Sequence, residues 1–112
     1  MYRLYGIKNC DTVKKARKYL DENGVAYQFH DFRADGLTFE LLEYFEAGLG
    51  WNTLLNRSST SWRQLTSEQR DGITRTTALQ LMLDIPTLIK RPVLDTGDQL
   101  IIGFKADLYK QL

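Results

Sequence analysis

The sequence has a single cysteine, a single histidine and no apolar run of membrane-spanning length in its 112 residues. One cysteine excludes an internal disulfide. With only one histidine beside it, the usual four-ligand Cys/His zinc cluster is excluded as well. The opening Met1-Tyr2-Arg3-Leu4-Tyr5 has no apolar h-region and no cleavage site, so it does not read as a secretory signal. No stretch approaches the roughly 20 apolar residues of a membrane span, and no membrane partner is expected. Charge of one sign is lacking too: 15 basic and 14 acidic residues leave a formal net charge of +1. That balance gives no reason to expect direct binding to nucleic acid or to an anionic membrane. The default location is cytoplasmic, where a lone thiol stays reduced.

A hydrophobic share of 43% with 12% aromatics is enough to bury a core and argues against disorder. A chain of this length fits one compact domain and needs no disulfide or structural metal to stay folded. Residues 1–5 read as a strand and 6–10 as a loop. A helix follows over about 12–23, with Val13, Ala16 and Leu20 on one face and Gly24 as its stop. Residues 25–29 alternate, with Val25, Tyr27 and Phe29 on one side, and read as a second strand. A strand, a crossover helix and a strand in so short a span predict a parallel βαβ unit.

The next fifty residues read as helical. Thr38 can cap a helix carrying Leu41, Leu42 and Phe45, which Gly48 and Gly50 end. Residues 51–55 form a short helix and 57–61 a polar loop. Thr66 followed by Gln69 is a capping-box pattern, and Thr76 or Thr77 starts a helix with Leu79, Met82 and Leu83 inward. Strand signals return at 92–95 and 100–102, joined by the turn Thr96-Gly97-Asp98. Residues 105–112 can close as a last helix. The order β-α-β, helices, β-β-α is that of an α/β, thioredoxin-like fold, a mixed four-stranded sheet with a helical insertion before the third strand. The expected division is a single domain, 1–112, with a core of 1–33 and 85–112 and an insert of 34–84.

Cys10 stands where the first strand has ended and a helix begins. Free backbone N–H groups and the helix dipole favour an anion at such a start, and a thiol there ionises more readily to the attacking thiolate. Lys8 adds positive charge nearby. Asp11 opposes it, unless its carboxylate caps the helix. The plainer alternative is a small buried filler, as free cysteines often are. Lys14, Lys15, Arg17 and Lys18 read as the solvated face of a helix. His30, on the opposite strand face from Tyr27 and Phe29, reads as solvated or hydrogen-bonded rather than catalytic. Trp51 and Trp62 read as packing residues. Asp35-Gly36 and Gly97-Asp98 are turn chemistry. No Walker A loop or dinucleotide fingerprint appears.

Tyr5-Gly6-Ile7-Lys8-Asn9-Cys10-Asp11-Thr12, followed by Lys14-Lys15-Ala16-Arg17, resembles the opening of the arsenate reductase-like (ArsC/Spx) family, above all its small bacterial branch usually called YffB. Tyr27-Gln28-Phe29-His30-Asp31-Phe32, Leu54-Leu55-Asn56-Arg57, Trp62-Arg63-Gln64-Leu65, Ile89-Lys90-Arg91-Pro92-Val93 and Gly103-Phe104-Lys105 resemble the same branch, so the similarity spans the chain. The resemblance implies that Cys10 is a nucleophile and that Arg91 and Arg57 hold an oxyanion. Lys105 stands where a third arginine is expected and supplies a point charge without the bidentate fork. Gly6 stands where the family reductase has a histidine, which tells against arsenate as the substrate. Pro92 matches the position of the cis-proline that faces the nucleophile in thioredoxin-like proteins, where it would turn the Arg91 backbone toward a peptide-like ligand.

Val13 occupies the place of the second cysteine in C-x-x-C redox proteins, so a disulfide at Cys10 has to be made with another molecule. Glutathione is the expected cytosolic co-substrate. The implied function is a glutathione-dependent thiol or oxyanion reductase acting on a small thiol, disulfide or oxyanion. The alternative is an Spx-like regulator without turnover, which the resemblance would pair with the C-terminal domain of the RNA polymerase α-subunit.

Overall fold

The computed structural model describes all 112 residues. In chain order the elements are β1 (Tyr2–Gly6), α1 (Asp11–Glu22), β2 (Tyr27–Asp31), α2 (Phe39–Leu49), α3 (Trp51–Leu54), α4 (Thr60–Arg63), α5 (Ser67–Asp71), α6 (Arg75–Asp84), a 3₁₀ turn (Pro86–Leu88), β3 (Val93–Asp95), β4 (Leu100–Ile102) and α7 (Ala106–Tyr109). The architecture is the α/β, thioredoxin-like one, with a mixed four-stranded sheet in the order β2-β1-β3-β4. No helix is long and apolar enough to cross a membrane. The chain falls into two compact units, Met1–Gly36 with Arg91–Leu112, and Leu37–Lys90.

The first unit holds the sheet. β1 and β2 pair in parallel, as the βαβ pattern predicts, while β3 is antiparallel to both β1 and β4. Period-two alternation places Phe29, Leu4, Leu94 and Ile101 side by side in one row across all four strands. α1 lays Ala16 and Leu20 on that row, and α7 adds Tyr109. Val13, Ala16 and Leu20 are fully buried, the i, i+3, i+7 face read from the sequence. The helix stop is a Schellman motif. Gly24, at φ +66°, donates to Asp21 O, and Val25 N donates to Leu20 O at 3.0 Å. Val25 then packs against the core.

In the second unit α2, α3, α6 and the 3₁₀ turn pack on one another, burying Leu42, Phe45, Leu54, Leu79, Met82 and Leu88. Thr38 caps α2 by accepting from Leu41 N at 3.1 Å. Thr66 and Gln69 form the expected capping box of α5. Three readings change. Gly48 lies inside α2, and Gly50 alone ends it, at φ +82°. α6 starts from Thr74, not from Thr76 or Thr77, because Thr77 closes a second capping box from its third helical position. The serine-rich stretch read as a loop winds into α4, since Ser59 accepts from Trp62 N and caps a helical turn. The 3₁₀ turn has no counterpart in the sequence reading, which placed the insert at 34–84. Asn56 N donates to Leu88 O and Lys90 N to Leu54 O, each at 2.8 Å, so residues 85–90 hydrogen-bond within the helical unit.

Candidate functional site

Strand directions decide which residues meet at one end of the sheet. β1, β2 and β4 run the same way, and β3 runs against them. The end where β1 and β2 finish is therefore also the end where β3 begins and β4 finishes. Gly6, Asp31, Pro92 and Gly103 all lie there, and Pro92 O accepts from Gly103 N at 2.8 Å. The connections leaving this end carry Lys8 and Cys10 after β1, Arg91 before β3 and Lys105 after β4. Five of the six residues singled out from the sequence thus share one end of the first unit.

Cys10 is the N-cap of α1, with extended backbone (φ −116°, ψ 125°) and no side-chain capping hydrogen bond. Its carbonyl accepts from Lys14 N at 2.9 Å, the first bond of the helix. Cys10 is half-exposed as a residue and forms no disulfide, so it is not the fully buried filler of the plainer reading. Asp11 is the first helical residue rather than the cap, because the chain enters helical geometry one residue earlier than the periodicity indicated. Lys8 is exposed, as is Lys105, which is the N-cap of α7. The Arg91–Pro92 peptide is cis. Pro92 is buried, and Arg91 is half-buried with its Nε withdrawn from solvent.

Arg57 belongs to the helical unit. Its guanidinium carbon lies 5.9 Å from the Trp51 ring centre and 5.5 Å from that of Trp62. Nη2 donates to Asn52 Oδ1 at 3.0 Å. The two indoles, read as packing residues, flank a cation whose stacking they favour. The basic run on α1 also divides: Lys14, Lys15 and Lys18 are exposed, whereas Arg17 lies 4.3 Å over the Phe29 ring and donates to the Tyr27 hydroxyl. His30 is hydrogen-bonded, donating from Nε2 to Gly36 O at 2.7 Å, with its ring beside Tyr5.

Two features at the sheet end escaped the sequence reading. The first is Asp31, a buried carboxylate. Oδ2 accepts from Lys8 N at 3.0 Å, and Oδ1 from Arg33 N at 2.7 Å and Ala34 N at 3.2 Å. Burial pushes its pKa up. The three N–H donors and the charge of Arg33 outweigh burial and hold it below the ordinary aspartate value. An aspartate ending a strand reads as turn chemistry, and nothing local reveals a partner 23 residues away. The second is the fit of Gly6 to Val13. A Cβ at Gly6 would lie 2.7 Å from Val13 Cγ2, inside contact distance. Gly6 and Val13 therefore form one packing arrangement.

The family model described as ArsC family matches residues 5–112. A solved structure named YffB protein is 49% identical, superposes with a TM-score of 0.94, and is covered over 97% of its length by 99% of this chain. An arsenate reductase (ArsC) related protein from Brucella melitensis is 43% identical with a TM-score of 0.82, over 98% of this chain and 92% of that one. The global transcriptional regulator Spx 1 of Lactococcus lactis is 26% identical over 109 residues, which are 96% of this chain and 84% of the regulator. With its family match running from the first strand to the last residue, and the Cys10 loop inside that match, the chain belongs to the ArsC family.

Proposed function

We propose that this ArsC-family protein is a glutathione-dependent thiol or oxyanion reductase with Cys10 as nucleophile. The observation that carries the reading is the placement of the chain's one cysteine, half-exposed at the N-cap of a twelve-residue helix. Backbone N–H groups at a helix start favour the thiolate over the thiol. Lys8, Arg91 and Lys105 supply positive charge at the same sheet end, and Pro92 shapes the groove beside them. Arg57 is proposed as an anion ligand from the resemblance alone; within the helical unit its guanidinium lies over the Trp51 and Trp62 rings.

The chemistry follows from having one sulfur. The Cys10 thiolate attacks the glutathione sulfur of a substrate–glutathione mixed disulfide. A Cys10–glutathione disulfide forms, and the substrate leaves as its thiolate. A glutathione thiolate then attacks the glutathione sulfur of the adduct, releasing oxidised glutathione and restoring the Cys10 thiolate. In this cycle one glutathione thiol is oxidised for each mixed disulfide reduced, and the second half of the oxidised glutathione comes from the mixed disulfide itself. Arsenate is expected to be a poor substrate, since Gly6 offers no imidazole and Lys105 offers no bidentate fork. The reading is tested by turnover of a small glutathionylated disulfide in the presence of glutathione. The wild-type chain should turn over and Cys10→Ser should not. Activity that survives in Cys10→Ser overturns the reading.

A second reading, a regulator that acts by binding a protein partner, draws on the Spx relative. Its proposed partner is the C-terminal domain of the RNA polymerase α-subunit. The absence of turnover together with saturable binding to that domain would replace the reductase reading with this one.

A further inference from the structure

We infer that Asp31 is a positioning residue for Cys10, its buried carboxylate holding the β1–α1 connection in place through the backbone N–H of Lys8. The inference deepens the reductase reading and rests on it for the importance of Cys10. The geometry comes from β2, whose last residue, Asp31, lies in register beside Gly6, the last residue of β1. Both chains leave the sheet there, and the Asp31 side chain joins them.

The two carboxylate oxygens have separate tasks. Oδ1 accepts from Arg33 N and Ala34 N, which closes the turn following β2. An asparagine serves that kind of turn equally well through its one oxygen. Oδ2 alone reaches the distant connection and accepts from Lys8 N. An asparagine with its oxygen on the turn would point an N–H₂ at the N–H of Lys8, donor against donor. The Lys8 contact is thus what requires a carboxylate. Asp31 is only 7% exposed, and burying a charge there is tolerable because three N–H donors meet it. Asp35 Oδ2 accepts from Asp31 N at 2.9 Å and secures the strand end itself.

Cys10 therefore sits between two fixed points. Lys8 N is tied to Asp31 on one side, and Cys10 O is tied to Lys14 N on the other. Only Asn9 separates the first anchor from the nucleophile. Releasing Lys8 lets Cys10 drift from the start of α1.

The test compares the full-length wild-type chain with Asp31→Asn by amide exchange and by the pH–rate profile of Cys10 alkylation with iodoacetamide. Loss of a hydrogen bond to a charged group should speed exchange of the Lys8 amide by about tenfold or more, with the Leu4 amide little changed. Alkylation near neutral pH should slow several-fold, and its profile should move to higher pH. If Asp31 acted only as a nearby negative charge, its removal would speed alkylation instead. Either that result or an unchanged profile overturns the inference. Should Asp31→Asn fail to fold, the wild-type chain supplies the test. The amide protons of Lys8, Arg33 and Ala34 should shift together on acidification, with one midpoint below the ordinary aspartate value of about 4. A Lys8 amide that does not follow the other two overturns it. None of these measurements uses glutathione, so failure of glutathione turnover in the wild type counts against the reductase reading alone.

Discussion

Tyr109 shows how a single atom sets a testable balance. Its ring packs edge-on to Phe104 and Tyr19 and its side chain is almost wholly buried, yet its hydroxyl has no hydrogen-bond partner. Burial alone pushes its pKa up, because the phenolate loses hydration without gaining a donor. A buried unpartnered hydroxyl costs about 1–3 kcal/mol. Tyr109→Phe should accordingly raise the thermal unfolding midpoint, or at least not lower it, while preserving the ring contacts; a clear fall would show that the hydroxyl contributes. Asp31 sets a pH dependence of the opposite kind. Its folded-state pKa lies below the unfolded one, so its contribution to stability is complete above the ordinary value of about 4 and is lost as pH falls through the depressed value. Asp31→Asn should flatten the acid limb of a stability–pH curve measured by urea unfolding. Parallel acid limbs for the two proteins would refute that assignment. Cys10, Arg91 and Lys105 were legible as candidates because their types and sequence surroundings carry the resemblance. Asp31 was not, because its significance lies in a hydrogen bond between segments that only the folded sheet brings together.

Among the elements, α1 was the most legible, since Val13, Ala16 and Leu20 repeat at helical spacing and Gly24 marks the stop. Gly24→Ala should cost about 1–2 kcal/mol, because the Schellman motif needs the left-handed φ of +66°. Chemical denaturation measures this, and a cost near zero would mean that the helix end rearranges freely. The start of α1 involves a tighter constraint. Gly6→Ala places a methyl against Val13 and should destabilise by about 1–3 kcal/mol as an overpacked contact. The same substitution should cost less in a Val13→Ala background, and equal costs in the two backgrounds would rule out the coupling. The shorter elements were less legible for a physical reason. α4 and the 3₁₀ turn span four and three residues. That is too short for hydrophobic periodicity, so they depend on a serine cap or on backbone bonds to other segments. Thr74 was missed as a cap because Thr77, a threonine rather than the usual Glu or Gln, completes its capping box.

For the molecule as a whole, the chain order of the strands and the family resemblance are both readable in the sequence. The parallel βαβ opening and the closing hairpin follow from local patterns, and together they constrain the sheet. The convergence of Lys8, Cys10, Arg91 and Lys105 at one end of it is a product of topology. Strand β3 runs against its neighbours, which brings Arg91 to the end where β1 delivers Cys10. Arg91→Ala should therefore weaken glutathione binding while leaving the fold intact. Arg91→Lys should also weaken it if the guanidinium grips a carboxylate with both nitrogens. Calorimetric titration of glutathione distinguishes these variants, and full affinity in Arg91→Ala would remove this residue from the site. The central claim, one reactive thiol that cannot resolve its own disulfide, is tested most directly by intact mass after treatment of the folded protein with oxidised glutathione. The expected result is a single stable glutathione adduct on Cys10, removed by excess reduced glutathione and absent in Cys10→Ser. A folded protein that takes up no glutathione would contradict the account.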